Sequence, residues 1–406
     1  MIKAFSISVL LFCMVCGSCL QHARAQSELL SNLHASDANG GYEPEVLKII
    51  ETLQAGRLED ALVKADAHLI RFPKSQIGHL LRADILQSMA TGLSDIGAQS
   101  ALPDTNLNGL KHQLRNRWIH KAYQDQESHT KVPSSLLELG EHPYVLVADM
   151  PNGRLYVYQN INGEPRLIKD YYLTVGSEGY GKQVEGDNKT PVGVYEINDF
   201  IEGKKLPDLY GKGAFPVNYP NRFDRYLKRT GYGIWLHGTP SDTYARSPWA
   251  SEGCFVLSND DLLDISKYVS AEKRTPVVLS DEIEWLAADE LKQRRARYLA
   301  VIEKWRADWE SLDIEALAAN YTKRDFNFGK GDFNTWLKRK KEISVNKTFV
   351  QVQIKIDSLF TYPGDDNLFV VKFRQNYLSN NFSSAADKLQ YWKRGSDGAW
   401  KIIYEG

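Results

Sequence analysis

Apolar positions recur at helical spacing through EVLKIIETLQAGRLEDALVKADAHLIRFPKSQIGHLLRADILQSMA, which starts at Glu45. This predicts a set of helices with Gly56 between two segments and Pro73 after the second. A further helix is expected over Leu107 to Gln124, and the Ser-, Asn-, Asp- and Gly-rich residues 27–44 read as an unstructured lead. Beyond a Lys131-Val-Pro-Ser-Ser connector the period changes to two. YVLVADMPNGRLYVYQN predicts two strands around a Pro151-Asn152-Gly153 turn. RLIKDYYLTVG, TPVGVYEINDF and YGIWLHG continue the β texture. A helix over Asn259–Val269, with NDDL supplying N-cap-type residues, and a strand over Pro276–Leu279 end this stretch. A long charged amphipathic helix is then expected in EIEWLAADELKQRRARYLAVIEKWRADWESLD, followed by IEALAANY and a DFNTWLKRKKEI helix. VQVQIKIDSLFTY, NLFVVKFRQNYLS and KLQYWKRGSDGAWKIIYE read as strands, so the last part is α+β.

The chain is therefore expected to be multidomain: helical over 26–138, mostly β over 142–281 and α+β over 292–406. Its 406 residues exceed one typical domain. The formal net charge of −1 lacks the basic excess that a nucleic-acid partner demands. The segment AGRLEDALVKADAHLIRFP resembles one tetratricopeptide-like hairpin; a solenoid needs about three such repeats, so a small domain that docks or dimerises is expected. The first residues read as a secretory signal over 1–25. Lys3 precedes an apolar run from Ala4 to Cys16, and Ala23-Arg24-Ala25 precedes Gln26. A lipoprotein cut before Cys19 fits less well, because Cys16-Gly17-Ser18 lacks the leading Leu. No later run is long enough to span a membrane. Cleavage removes Cys13, Cys16 and Cys19 and leaves Cys254 as the only thiol. A single thiol in an exported protein is inert and buried, pairs between chains, or is a reactive nucleophile.

Cys254 follows Gly253 in SPWASEGCFVLSNDDL, and His237 ends the apolar run IWLHG. An imidazole beside a cysteine can take the thiol proton. Glycine permits the tight backbone that aims N–H groups at an oxyanion. Spacing alone does not establish contact between the two residues. The words GKQVEGDNKTPVGVY, IWLHGTP and SEGCFVLSNDD, in that order, resemble the L,D-transpeptidase (YkuD-type) catalytic domain over Tyr144 to Leu279. That resemblance implies a β-sandwich whose cysteine attacks an amide of a peptidoglycan stem peptide. It makes Cys254 the nucleophile and His237 the general base, and gives the Gly238 carbonyl the role of orienting that base. Gly253 and Cys254 N–H groups would form the oxyanion hole, and Ser251 would support the cysteine loop.

Two positions depart from the family pattern. Glu252 stands where many members have a second histidine, and Val256 where many have arginine. Glu252 is expected to face outward or toward substrate, since an inward carboxylate raises the thiol pKa. Carboxylate recognition must come from elsewhere, with Arg246, Lys182, Arg222 and Arg225 as candidates. Phe255 after the cysteine resembles the YafK-like branch. The domain order, with a last part similar to SnoaL-like cones, resembles periplasmic L,D-carboxypeptidases that set cell shape. The resemblance thus implies acyl transfer on stem peptides in the periplasm, to an amine or to water. A non-catalytic cell-wall scaffold is the alternative. In it the C-terminal pocket would hold a small ligand or glycan among Trp305, Trp309, Tyr321, Phe326 and Trp392. A homodimer is a further expectation. No metal or cofactor is expected, because no His/Cys/Asp cluster has ligand spacing.

Overall fold

The computed structural model describes residues 41–92, 97, 104–124, 130–328 and 331–406. The signal reading of residues 1–25 lies outside them. Among the described residues no helix is long and apolar enough to cross a membrane.

Four helices come first: α1 (Tyr42–Gln54), α2 (Leu58–Arg71), α3 (Gln76–Thr91) and α4 (Asp104–Gln124). In α1, Val46, Ile49 and Ile50 are fully buried, the apolar stripe that helical periodicity requires. Ser75 caps α3 by accepting the Gly78 N–H at 3.0 Å. α2 packs on α3 and α4 lies against α1, whereas the AGRLEDALVKADAHLIRFP segment expected to be a hairpin holds α2 alone. The connector after α4 is not a loop. Lys131–Pro133 is β1, and Leu136–Glu138 is β2.

The middle domain adds β3 (Tyr144–Asp149), β4 (Arg154–Ile161), β5 (Glu164–Tyr172), β6 (Val175–Gly176), β7 (Gly193–Glu196), β8 (Ile201–Glu202), β9 (Gly213–Pro216), α5 (Arg222–Tyr226), β10 (Trp235–His237), β11 (Trp249–Ser251), β12 (Phe255–Val256), α6 (Asn259–Ile265) and β13 (Pro276–Ser280). One sheet runs β5-β4-β3-β13-β7, the other β12-β10-β9-β8, with β6 and β11 as a parallel ribbon. Leu146 and Ala148 of β3 enter the core between the sheets, whereas Val145 and Val147 enter a second core on the outer face. That strand is apolar on both faces because both are covered.

The outer face is covered by the last domain: β14 (Trp285–Ala287), α7 (Ala288–Glu310), α8 (Ile314–Ala318), α9 (Phe333–Ser344), β15 (Val350–Thr361), β16 (Leu368–Ser379), β17 (Phe382–Arg394) and β18 (Trp400–Glu405). The EIEWLA start of the expected long helix is thus irregular over 282–284 and strand over Trp285–Ala287. β14 pairs with β1, and α7 begins only at Ala288, where Glu290 accepts the Ala287 N–H. The sheet order is β18-β17-β16-β15-β2, so β2 is lent to it from before the middle domain. Trp305 of α7 packs with Phe373 of β16 in the same core as Val145 and Val278.

Candidate active site

Strands β10 and β12 place the cysteine and the histidine. They are parallel, with Leu236 opposite Phe255 and His237 opposite Val256. Leu236 and Phe255 point into the core. Side chains alternate along a strand, so His237, Val256 and Cys254 lie on the opposite face of neighbouring chain segments. Gly253 has φ +118°, and a Cβ there would lie 2.8 Å from the Lys189 carbonyl oxygen; only glycine suits this turn. The Ser251 hydroxyl donates to the Cys254 carbonyl at 2.5 Å and accepts the Gly253 N–H at 3.2 Å. Thr190, of the TPVG word, also donates to the Cys254 carbonyl, at 3.4 Å. With the Gly253 N–H held by Ser251, lending it to an oxyanion requires that hydroxyl to turn away.

His237 is 3% exposed, and its Nδ1 lies 2.7 Å from the Gly238 carbonyl. A carbonyl only accepts, so Nδ1 carries the proton and Nε2 presents its lone pair. The Gly238 N–H donates to the carbonyls of Tyr210 and Gly213. A Cβ on Gly238 would meet Asn259 Oδ1 at 2.2 Å, and Asn259 is itself tied to Lys212 N and Thr239 O. Burial lowers the His237 pKa to about 4, with the Arg246 charge adding to the effect and the Gly238 hydrogen bond opposing it. The ring is neutral at neutral pH.

The Cys254 thiol donates to the Gly233 carbonyl at 3.3 Å. Burial pushes its pKa up to about 11; the Trp235 N–H, Arg246 and Lys182 oppose this, and Glu252 reinforces it. Cys254 therefore rests as thiol and His237 as neutral imidazole. Glu252 is exposed, yet its charge reaches the thiol. Arg246 acts on both Cys254 and His237. Lys182 is 3% exposed and paired with Asp187 at 2.6 Å. Arg222 and Arg225 are elsewhere, on α5, lining a cleft against the C-terminal sheet with Lys372 and Lys388. Sequence reasoning missed Tyr210, whose ring sits edge-on to His237 at 5.0 Å and whose pKa is raised by burial and then by Cys254 and Glu252. No motif marks it, because it comes from a short turn brought in by tertiary folding. Among the described residues no three metal-ligating side chains gather.

The C-terminal domain holds a cavity of about 710 Å³. Of the five aromatic residues expected there, Trp309 lines it. Trp305, Tyr321, Phe326 and Trp392 are buried in the core, where Trp305 Nε1 donates to the Tyr321 hydroxyl at 2.9 Å. Sequence spacing does not separate a buried stripe from a pocket lining. Lys340 lies over Trp309 at 4.2 Å, and burial lowers its pKa to about 8.

Residues 143–279 match the L,D-transpeptidase catalytic domain, and residues 297–406 match the Cds6 C-terminal NTF2-like domain. The chain is similar to the solved structure of Bd1075 from Bdellovibrio bacteriovorus, with 28% identity and TM-score 0.60, over 68% of this chain and 97% of that one. It is also similar to the helical cell shape determining protein Pgp2 from Campylobacter jejuni, with 25% identity and TM-score 0.56, over 73% of this chain and 100% of that one. No protein of curated function matches it. The chain thus carries an L,D-transpeptidase catalytic domain over residues 143–279, with helices before that domain and an NTF2-like domain after it.

Proposed function

We propose that the protein is a cysteine acyl-transfer enzyme acting on peptidoglycan stem peptides in the periplasm, reached through the signal at residues 1–25. The observation that carries this is the parallel pairing of β10 with β12, which sets His237 opposite Val256, two residues after Cys254, with Nδ1 of His237 committed to the Gly238 carbonyl. His237 Nε2 takes the Cys254 proton as sulfur attacks the substrate amide carbon. The negative charge on the tetrahedral oxygen is met by the Cys254 N–H and, once Ser251 turns, the Gly253 N–H. The imidazolium returns its proton to the leaving amine, leaving a thioester. An acceptor amine or water then attacks the thioester, gives its proton to His237, and regenerates the thiol. Arg246, whose charge reaches both groups, binds the substrate carboxylate that the family arginine, replaced here by Val256, would otherwise hold. Glu252, exposed beside the cysteine, faces the acceptor side.

The resemblance of the domain order to periplasmic cell-shape L,D-carboxypeptidases supports a reading with water as acceptor. On that second reading, the enzyme is an L,D-carboxypeptidase that trims tetrapeptide to tripeptide stems. Incubation with tetrapeptide muropeptides, with and without an added amine, separates the two by mass. Loss of the terminal residue alone is hydrolysis; a gained amine is transpeptidation. Cys254→Ala and His237→Ala should each lower turnover by at least about a thousandfold. Turnover near the unsubstituted level in Cys254→Ala leaves the non-catalytic scaffold as the reading.

A further inference from the structure

A cavity of about 630 Å³ opens between the helical domain and the loop 239–250. Lys74, Gln76 and Gln113 form the helical wall; Thr243, Ser247 and Trp249 form the facing one. The Trp249 side chain belongs to a residue left 46% exposed, and its ring meets His112 of α4 at 5.6 Å. The loop is firmly held. Tyr244 stacks on Tyr42 at 5.2 Å and 17° and meets Phe72 edge-on. The Arg246 carbonyl accepts from the Tyr172 hydroxyl at 3.0 Å, and the Arg117 guanidinium of α4 lies 3.7 Å from the Tyr172 ring centroid. The cavity walls are thus set before any ligand arrives, which lowers the cost of binding.

The cavity lining runs to Ala250, on the segment that leads to the cysteine. Trp249 and Ser251 are two residues apart on β11, roughly 7 Å along a strand, and Ser251 holds the Cys254 carbonyl. Arg246 lines the cavity while its charge acts on Cys254. A substrate held at the cysteine with its carboxylate at Arg246 has its remaining part directed here. The lining sets amide and hydroxyl side chains around one open indole, with isolated charges of both signs at Lys74, Asp242 and Arg246. A pyranose offers the matching chemistry, a C–H face for the indole and hydroxyls for the amides. We infer that this cavity is a glycan subsite, built partly by the helical domain, that takes the saccharide attached to the stem peptide. The inference rests on the peptidoglycan reading.

The test uses the full chain carrying Cys254→Ala, which holds ligand without turnover. Calorimetric titration compares a disaccharide-linked tetrapeptide with the same tetrapeptide freed of sugar. The linked form should bind about tenfold more tightly, and adding Trp249→Ala or Gln76→Ala should close that gap. Gln76 is exposed, so its truncation leaves the loop packing in place. Equal affinities at the outset, or a gap that survives both added substitutions, overturns the inference. A gap closed instead by Lys340→Ala assigns the sugar to the C-terminal cavity and also overturns it. Turnover by the unsubstituted enzyme is read separately: no turnover together with the expected gap sinks acyl transfer and leaves the subsite standing.

Discussion

At Cys254 and His237, burial works on both groups in opposite directions. It raises the thiol pKa to about 11 and lowers the imidazole pKa to about 4, so both groups rest uncharged. A pair of this kind does not start as thiolate and imidazolium; the proton moves as substrate engages. The consequence for pH is definite. With His237 as the proposed base, activity needs it neutral and should be lost as pH falls through about 4, not through the 6.5 of an ordinary histidine. The kcat/KM on a muropeptide should stay flat from pH 6 to 8, whereas alkylation of Cys254 by iodoacetamide, which proceeds through the thiolate, should rise about tenfold per pH unit. A tenfold fall in kcat/KM between pH 7 and 5.5, or an alkylation rate that is flat over pH 6 to 8, would contradict the uncharged resting state. Both residues and the glycine turn are legible in the sequence, because their motif words are local. The opposing pKa shifts are not, because burial comes from chain segments far away.

Among the elements, α1 is fastened to the catalytic sheet by charge as well as packing. Glu43, 5% exposed, pairs with Arg117 of α4 at 2.7 Å and with Arg154 of β4 at 3.2 Å. Both arginines are 1% exposed or less. Removing the carboxylate takes the counter-ion from the buried Arg117, whereas Arg154 keeps Asp170, so Glu43→Ala should cost about 3–5 kcal/mol. A thermal melt should show a large fall in Tm; a shift of a degree or less would mean that the network contributes little. Helical spacing made α1 legible, but not its docking. An acidic residue in a first helical turn is ordinary there, and its partners lie 74 and 111 residues away. β1 and β14 escaped the sequence reading for a related reason. Each is three residues long, too short to show a period, and each exists because the other pairs with it.

Across the whole molecule, the catalytic and NTF2-like domains share one core. Val145, Val147, Tyr158 and Val278 on the outer face of the catalytic sheet pack in the cluster that holds Trp305 and Phe369. Excising residues 142–281 uncovers those four side chains, each worth about 1.5–3 kcal/mol of burial. Their sum rivals the entire 5–15 kcal/mol stability of an ordinary domain. The excised domain should therefore fail to melt cooperatively, while the catalytic and NTF2-like parts of the full chain unfold together. A soluble 142–281 fragment with a sharp calorimetric transition would show that the shared core is dispensable.

The sequence by itself determined the three-part order, the periodicity of the longer elements, and the catalytic-family words around His237 and Cys254. Those features are local, written within a few turns or a single loop. The tertiary structure alone decided what the local pattern leaves open. It brought Arg246 and Tyr210 to the cysteine, engaged the Gly253 N–H with Ser251, and sent four of five expected pocket aromatics into the core. It also closed a cavity between the helices and the loop 239–250. Each of these depends on which distant surfaces meet, and desolvation and pairing act only once they have met.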